Sequence, residues 1–114
     1  MRPPYRLVWN EGIEADFRAL AAIDHRLVRI AQDVAADVAG HHSHGNALGE
    51  RRVSGDLTGY YRMRFDLPGR RPLRFRLVYD RPDEGTVRVI GMGQREASAV
   101  YRALAARRMQ SDNN

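Results

Sequence analysis

The stretch YYRMRFDLPGRRPLRFRLVYDRPDEGTVRVIGM, residues 60–92, decides the fold. Apolar and polar side chains alternate along Tyr60 to Phe65, Arg74 to Tyr79 and Thr86 to Met92, the period of a β-strand. Between them stand Asp66-Leu67-Pro68-Gly69 and Arg81-Pro82-Asp83-Glu84-Gly85, both built from turn-forming residues. Three strands joined by short turns predict an antiparallel meander. In the first, Tyr61, Met63 and Phe65 point to the core, while Arg62, Arg64 and Asp66 point away with Tyr60. Arg74 and Arg76 alternate with Phe75 and Leu77 in the same way on the second.

Upstream, Tyr5, Leu7 and Trp9 share one face of a short first strand. Asn10 is placed to cap a helix over about residues 11–22, in which Ile13, Phe17 and Leu20 recur at helical spacing. Asp24 is placed to cap a second helix, whose stripe of Leu27, Ile30, Ala31, Val34 and Val38 runs until Gly40 stops it. Residues 40–49, GHHSHGNALG, show no periodicity and read as a connector. From about Glu96 the helical period returns, ending near Arg108 and leaving Gln110 to Asn114 as a frayed tail. The order β-α-α-β-β-β-α predicts one α+β domain over residues 1–114, an antiparallel-rich sheet with helices packed on one face. The chain contains no internal repeat.

The 114 residues carry 19 basic and 14 acidic side chains, a net charge of +5, and every basic residue is Arg. Residues 1–50 hold five Arg against seven acids, residues 51–82 nine against three, and residues 83–114 five against four. The excess therefore sits on the strand region, as a surface facing a polyanion requires. With no cysteine the chain has neither a disulfide framework nor a thiolate metal site. No apolar run approaches the roughly 20 residues that span a bilayer, and Met1-Arg2-Pro3-Pro4 leads into no signal-peptide core. The expectation is a cytoplasmic protein with no membrane partner.

Several guanidiniums on one uncovered sheet face repel each other unless an anion lies among them, and Arg grips phosphate through a bidentate fork. The alternative is a structural network in which these arginines pair with Asp66 and Asp80. His41, His42 and His44 match no zinc spacing and read as a solvated loop, so no metal or cofactor is expected. Gly91 and Gly93 lack the third glycine and the helix-opening context of a dinucleotide fingerprint and read as a strand ending in a tight turn. Trp9 reads as core, and Ala103-Leu104-Ala105-Ala106 as a helix face packed on the sheet or meeting a partner.

Three segments resemble the RelE/ParE superfamily of bacterial type II toxins, closest to the RelE branch of ribosome-dependent mRNA endonucleases. They are Gly55-Asp56-Leu57-Thr58-Gly59-Tyr60-Tyr61-Arg62-Met63-Arg64, Phe75-Arg76-Leu77-Val78-Tyr79 and Gly93-Gln94-Arg95-Glu96-Ala97-Ser98-Ala99-Val100-Tyr101. The resemblance implies a RelE-like fold, a cognate antitoxin, and action on mRNA in the ribosome without a metal. It implies that Arg62 and Arg64 bind RNA and that Arg76 contacts the scissile phosphate; Arg74 joins the candidate phosphate-binding set by its alternation with Phe75. By the same resemblance Arg95 stabilises the leaving group and Tyr101 is the catalytic tyrosine. The implied reaction is attack of an mRNA 2′-hydroxyl on the adjacent phosphodiester, leaving a 2′,3′-cyclic phosphate and a 5′-hydroxyl.

The chain departs from that branch where Arg62 and Arg64 stand in place of the usual lysines, and where Gln94 replaces another. A lysine can give up its proton and act as a base, whereas Arg effectively cannot. Asp66, expected on the face of Arg64, is therefore the candidate proton acceptor. Two rival functions remain: a ParE-like inhibitor of DNA gyrase without RNase activity, and a non-catalytic RNA-binding module.

Overall fold

The computed structural model describes residues 2–51 and 55–94, with side chains for residues 2–49 and 58–94. The described elements are β1 (Arg6–Trp9), α1 (Ile13–Ile23), α2 (Arg26–Ala39), β2 (Asn46–Arg51), β3 (Gly55–Phe65), β4 (Phe75–Asp80) and β5 (Thr86–Gln94). They form one five-stranded sheet in the order β1-β5-β4-β3-β2. β2 through β5 pair antiparallel in succession, and β1 lies parallel to β5. The expected meander is therefore present, inside a mixed α+β sheet. The helix expected after Glu96, with Ala103 to Ala106 and the tail from Gln110, lies outside the described residues.

One element departs from the expectation. Asn46–Arg51 is an edge strand on β3, not part of a connector. It lacks visible alternation because its pairing slips between Ala47 and Gly49, and Gly49 takes a left-handed φ of 64° that a side chain would strain. β3 is correspondingly longer than its apolar pattern, since residues from Gly55 onward pair with β2.

The helix ends also differ in detail. Gly12, with φ 84°, occupies the N-cap of α1, and Asn10 contributes its backbone carbonyl to the Ile13 N–H instead. His25 stands at the N-cap of α2, and Asp24, one residue earlier, accepts the Arg26 N–H on its Oδ1 at 3.0 Å. The adjoining Arg26 guanidinium pulls the Asp24 carboxyl down to about 2. α2 ends at Gly40, but the left-handed position falls one residue later on His41, φ 65°.

The main core lies between the helices and one sheet face. Leu20 from α1, Leu27, Ala31 and Ala35 from α2, and Phe75, Leu77, Val87 and Val89 from the sheet are its most enclosed members. Trp9 packs on its margin, its ring 5.4 Å from that of Phe17.

Candidate functional site: an arginine row on the far sheet face

Strand alternation carries Arg62 and Arg64 of β3 and Arg76 of β4 to the face turned away from α1 and α2. Arg64 stands directly opposite Arg76 in the β3–β4 register, and Arg62 opposite Val78. Side chains so paired have Cβ atoms about 5 Å apart, and like charges there destabilise a sheet. Across β4, Arg76 pairs with Gly93, which has no side chain. That register depends on an irregularity in β5. Tyr79 pairs with Val89 but Val78 with Gly91, so Ile90 is an extra residue that reverses the alternation beyond it. An α1 carboxylate holds the shifted segment, with Asp16 Oδ2 accepting the Met92 N–H at 3.0 Å. Sequence periodicity did not single out Asp16; its exposed-looking place in the amphipathic pattern gives no sign of this bond.

The far face is not open, as the alternation alone suggested. Tyr60 and Arg76 are each 4% exposed, Ile90 4% and Val78 fully buried, although none belongs to the helix-side core. Arg64 is exposed and Arg62 half-buried, so the row runs from solvent into the protein. The Arg62 Nε is buried and has no hydrogen-bond partner among the described residues.

Asp66 and Asp80, the carboxylates named as alternative partners for this row, are engaged by other arginines. Both Asp66 oxygens are filled by Arg74: Nε donates to Oδ2 at 2.9 Å and Nη2 to Oδ1 at 2.9 Å. The same carboxylate accepts the Leu67 N–H at 2.7 Å and the Arg74 N–H at 3.0 Å. The Arg74 guanidinium, with these backbone donors, holds the buried Asp66 carboxyl far below the usual carboxylate range against the cost of burial. Asp66 and Arg74 thus close the β3–β4 connection. Because Arg74 is bent back onto Asp66, β4 begins at Phe75 rather than at Arg74. Asp80 takes a fork from Arg88 across the β4–β5 pair, Nε to Oδ1 at 3.0 Å and Nη2 to Oδ2 at 2.6 Å.

Of the residues singled out by sequence, the structure brings Arg62, Arg64 and Arg76 together and turns Asp66 and Arg74 toward each other. Arg95 and Tyr101 lie outside the described residues. The histidines separate: His41 packs on Tyr5 with ring centres 4.3 Å apart and bonds the Pro3 carbonyl through Nε2 at 2.8 Å. His44 lines a cleft on the helix side of the sheet. No helix among the described residues is long and apolar enough to cross a membrane.

No family model matches the sequence, and no curated protein does. Among solved structures, the chain is similar to the toxin–antitoxin complex RelBE2 of Mycobacterium tuberculosis, with 22% identity and a TM-score of 0.60 over 85% of this chain and 98% of that one. It is also similar to a double mutant of the E. coli toxin RelE in its free state, with 26% identity and a TM-score of 0.57 over 94% and 99%. The chain has the RelE fold, the architecture of the RelE/ParE superfamily that its strand motifs resemble.

Proposed function

We propose that this chain is the toxin of a type II toxin–antitoxin pair and acts as a ribosome-dependent mRNA endoribonuclease. The observation that carries this reading is the juxtaposition of Arg64 with Arg76, and of Arg62 one pleat along, on one face of the sheet. Arg grips a phosphate through a bidentate fork, and a row of guanidiniums on one sheet face attracts a polyanion such as RNA. Likeness in fold to RelE and to the RelBE2 complex supports the toxin class and a cognate antitoxin.

In this reading exposed Arg64 grips the non-bridging oxygens of one phosphate, Arg62 holds the strand alongside, and buried Arg76 adds its positive charge from beneath. The 2′-oxygen forms a bond to phosphorus as the bond from phosphorus to the 5′-oxygen breaks. The 2′-proton leaves to a base and the 5′-oxygen gains a proton, giving a 2′,3′-cyclic phosphate and a 5′-hydroxyl. Negative charge grows on the phosphoryl oxygens along this path, and fixed guanidiniums stabilise it most where it is greatest. Arg95 and Tyr101 are retained in the proposal on the sequence resemblance, for the leaving group and for proton transfer. Asp66 is better suited to structure than to accepting the 2′-proton, since Arg74 opposes its protonation and occupies both oxygens.

The test is an in vitro translation reaction with purified protein, with mRNA ends mapped by primer extension. Cleavage that requires ribosomes, and is lost in Arg95→Ala combined with Tyr101→Phe, is expected. Unimpaired translation with intact mRNA, together with inhibition of DNA gyrase, would replace this reading by the ParE-like one.

A further inference from the structure

On the helix side of the sheet, opposite the arginine row, a cleft of about 130 Å3 opens beneath the end of α2. Tyr5, His44, Gly45, Tyr61, Tyr79 and Arg81 line it, and Val38 and Val87 form its apolar wall. No carboxylate is among these eight residues. The Tyr79 hydroxyl accepts the Gly45 N–H at 2.8 Å, which leaves its own O–H to donate. Tyr5, Tyr61 and Arg81 line the same cleft as that phenol. Burial pushes the Tyr79 phenol up, which keeps it protonated and a donor at neutral pH.

The remaining groups fix this geometry. Arg81 lies over the Tyr5 ring, 4.2 Å from its centre, and donates through Nη2 to the Glu84 carbonyl at 2.9 Å. Asp83 is the acidic neighbour of Arg81, but its carboxylate is turned to the Gly85 N–H at 2.9 Å and to Thr86. Tyr61 stacks on Tyr79 with ring centres 5.3 Å apart. Gly45 is required for the close approach: a Cβ there would stand 2.7 Å from the Arg62 carbonyl and 2.8 Å from Tyr79.

Arg81 and the phenols offer donors to an anion with several acceptor oxygens, and no carboxylate among the lining residues repels it. Ligand pockets for whole small molecules are typically about 300 Å3 or more, so this cleft admits one functional group and leaves the rest of its carrier outside. We propose that it is a second anion site, which takes the phosphate of a nucleotide through Arg81 and the phenols of Tyr5, Tyr61 and Tyr79. It is separate from the arginine row and does not depend on the cleavage reading; the phosphate can come from a free nucleotide or from an RNA strand crossing this face.

The experiment is an NMR titration of the full chain with inorganic phosphate, with uridine monophosphate, and with a 2′-O-methyl RNA heptamer that cannot be cleaved. Saturable shifts of the Gly45 N–H and its neighbours are expected with phosphate in the millimolar range. Arg81→Gln and Tyr61→Phe, which leave the buried core intact, should each weaken binding several-fold to about tenfold, and Arg64→Ala should leave it unchanged. Tighter binding of the monophosphate than of the heptamer at this cleft assigns the site to free nucleotides, and the reverse order assigns it to RNA. Absence of saturable shifts at Gly45 with any of the three, or unchanged affinity in Arg81→Gln, overturns the proposal. Because binding is read without cleavage, a failure here is distinct from a failure of the nuclease reading.

Discussion

Replacing Asp66 by Asn separates a structural carboxylate from a catalytic one. The Asp66 side chain is fully buried, whereas Arg74 keeps about a third of its surface in water, with side-chain exposure of 33%. Breaking a fully buried ion pair costs about 3–5 kcal/mol, and solvent reaching Arg74 lowers that figure. The amide can still accept one hydrogen bond but turns an NH2 toward the guanidinium, so the cost is about 2–3 kcal/mol at pH 7. For a domain of this size that lowers Tm by about 8–12 °C. The pH dependence has a definite sign. A carboxyl lowered by folding stabilises fully above its unfolded value of about 4 and loses that contribution as pH falls toward the lowered value. The difference in Tm between wild type and Asp66→Asn should therefore be constant from pH 7 to about 5 and shrink below about 4. Thermal unfolding followed by circular dichroism at pH 7, 5 and 3 reads this, alongside the cleavage rate per folded molecule at pH 7. An Asp66→Asn protein with wild-type Tm and abolished cleavage would refute the reasoning and restore Asp66 as proton acceptor.

Further expectations address the row, the core and the loop. Arg64→Ala should leave the unfolding free energy within about 0.5 kcal/mol of wild type, since the side chain is exposed, and should slow ribosomal cleavage by about 10²-fold or more. Phe75→Ala, at a fully buried position, should cost about 3–5 kcal/mol in urea unfolding. Gly45→Ala should cost about 1–3 kcal/mol, because its Cβ meets the backbone carbonyl of Arg62, which cannot swing aside; a solved structure of the variant should show the loop displaced from Tyr79.

The meander was legible because β3 buries one face against the helices, which enforces a period of two, and because Arg74 and Arg76 flank Phe75 at the same spacing on the next segment. The β2 strand was not legible. Only Leu48 of its four residues with described side chains is buried, and the slip at Gly49 breaks what alternation there is. The closed far face had a signal that alternation concealed: Leu77-Val78-Tyr79 and Val89-Ile90 are uninterrupted apolar runs, the mark of strands covered on both sides. The arginine row followed from strand parity alone. The partners of Asp66 and Asp80 did not, since Arg74 and Arg76 are equally good partners in the sequence. What separates them is the chain turn that returns Arg74 to Asp66 while Arg76 remains in the β4 ladder opposite Arg64.

The most direct test of the central claim is the chemistry of the RNA ends. Fragments released from ribosome-bound mRNA by purified protein, analysed by mass spectrometry, should carry 2′,3′-cyclic phosphate and 5′-hydroxyl termini. Arg76→Ala should remove them, and an mRNA with a 2′-deoxy residue at the cleavage position should resist. Ends with 3′-hydroxyl and 5′-phosphate, or cleavage that persists at the 2′-deoxy position, would contradict attack by the 2′-oxygen on a phosphate held by the arginine row.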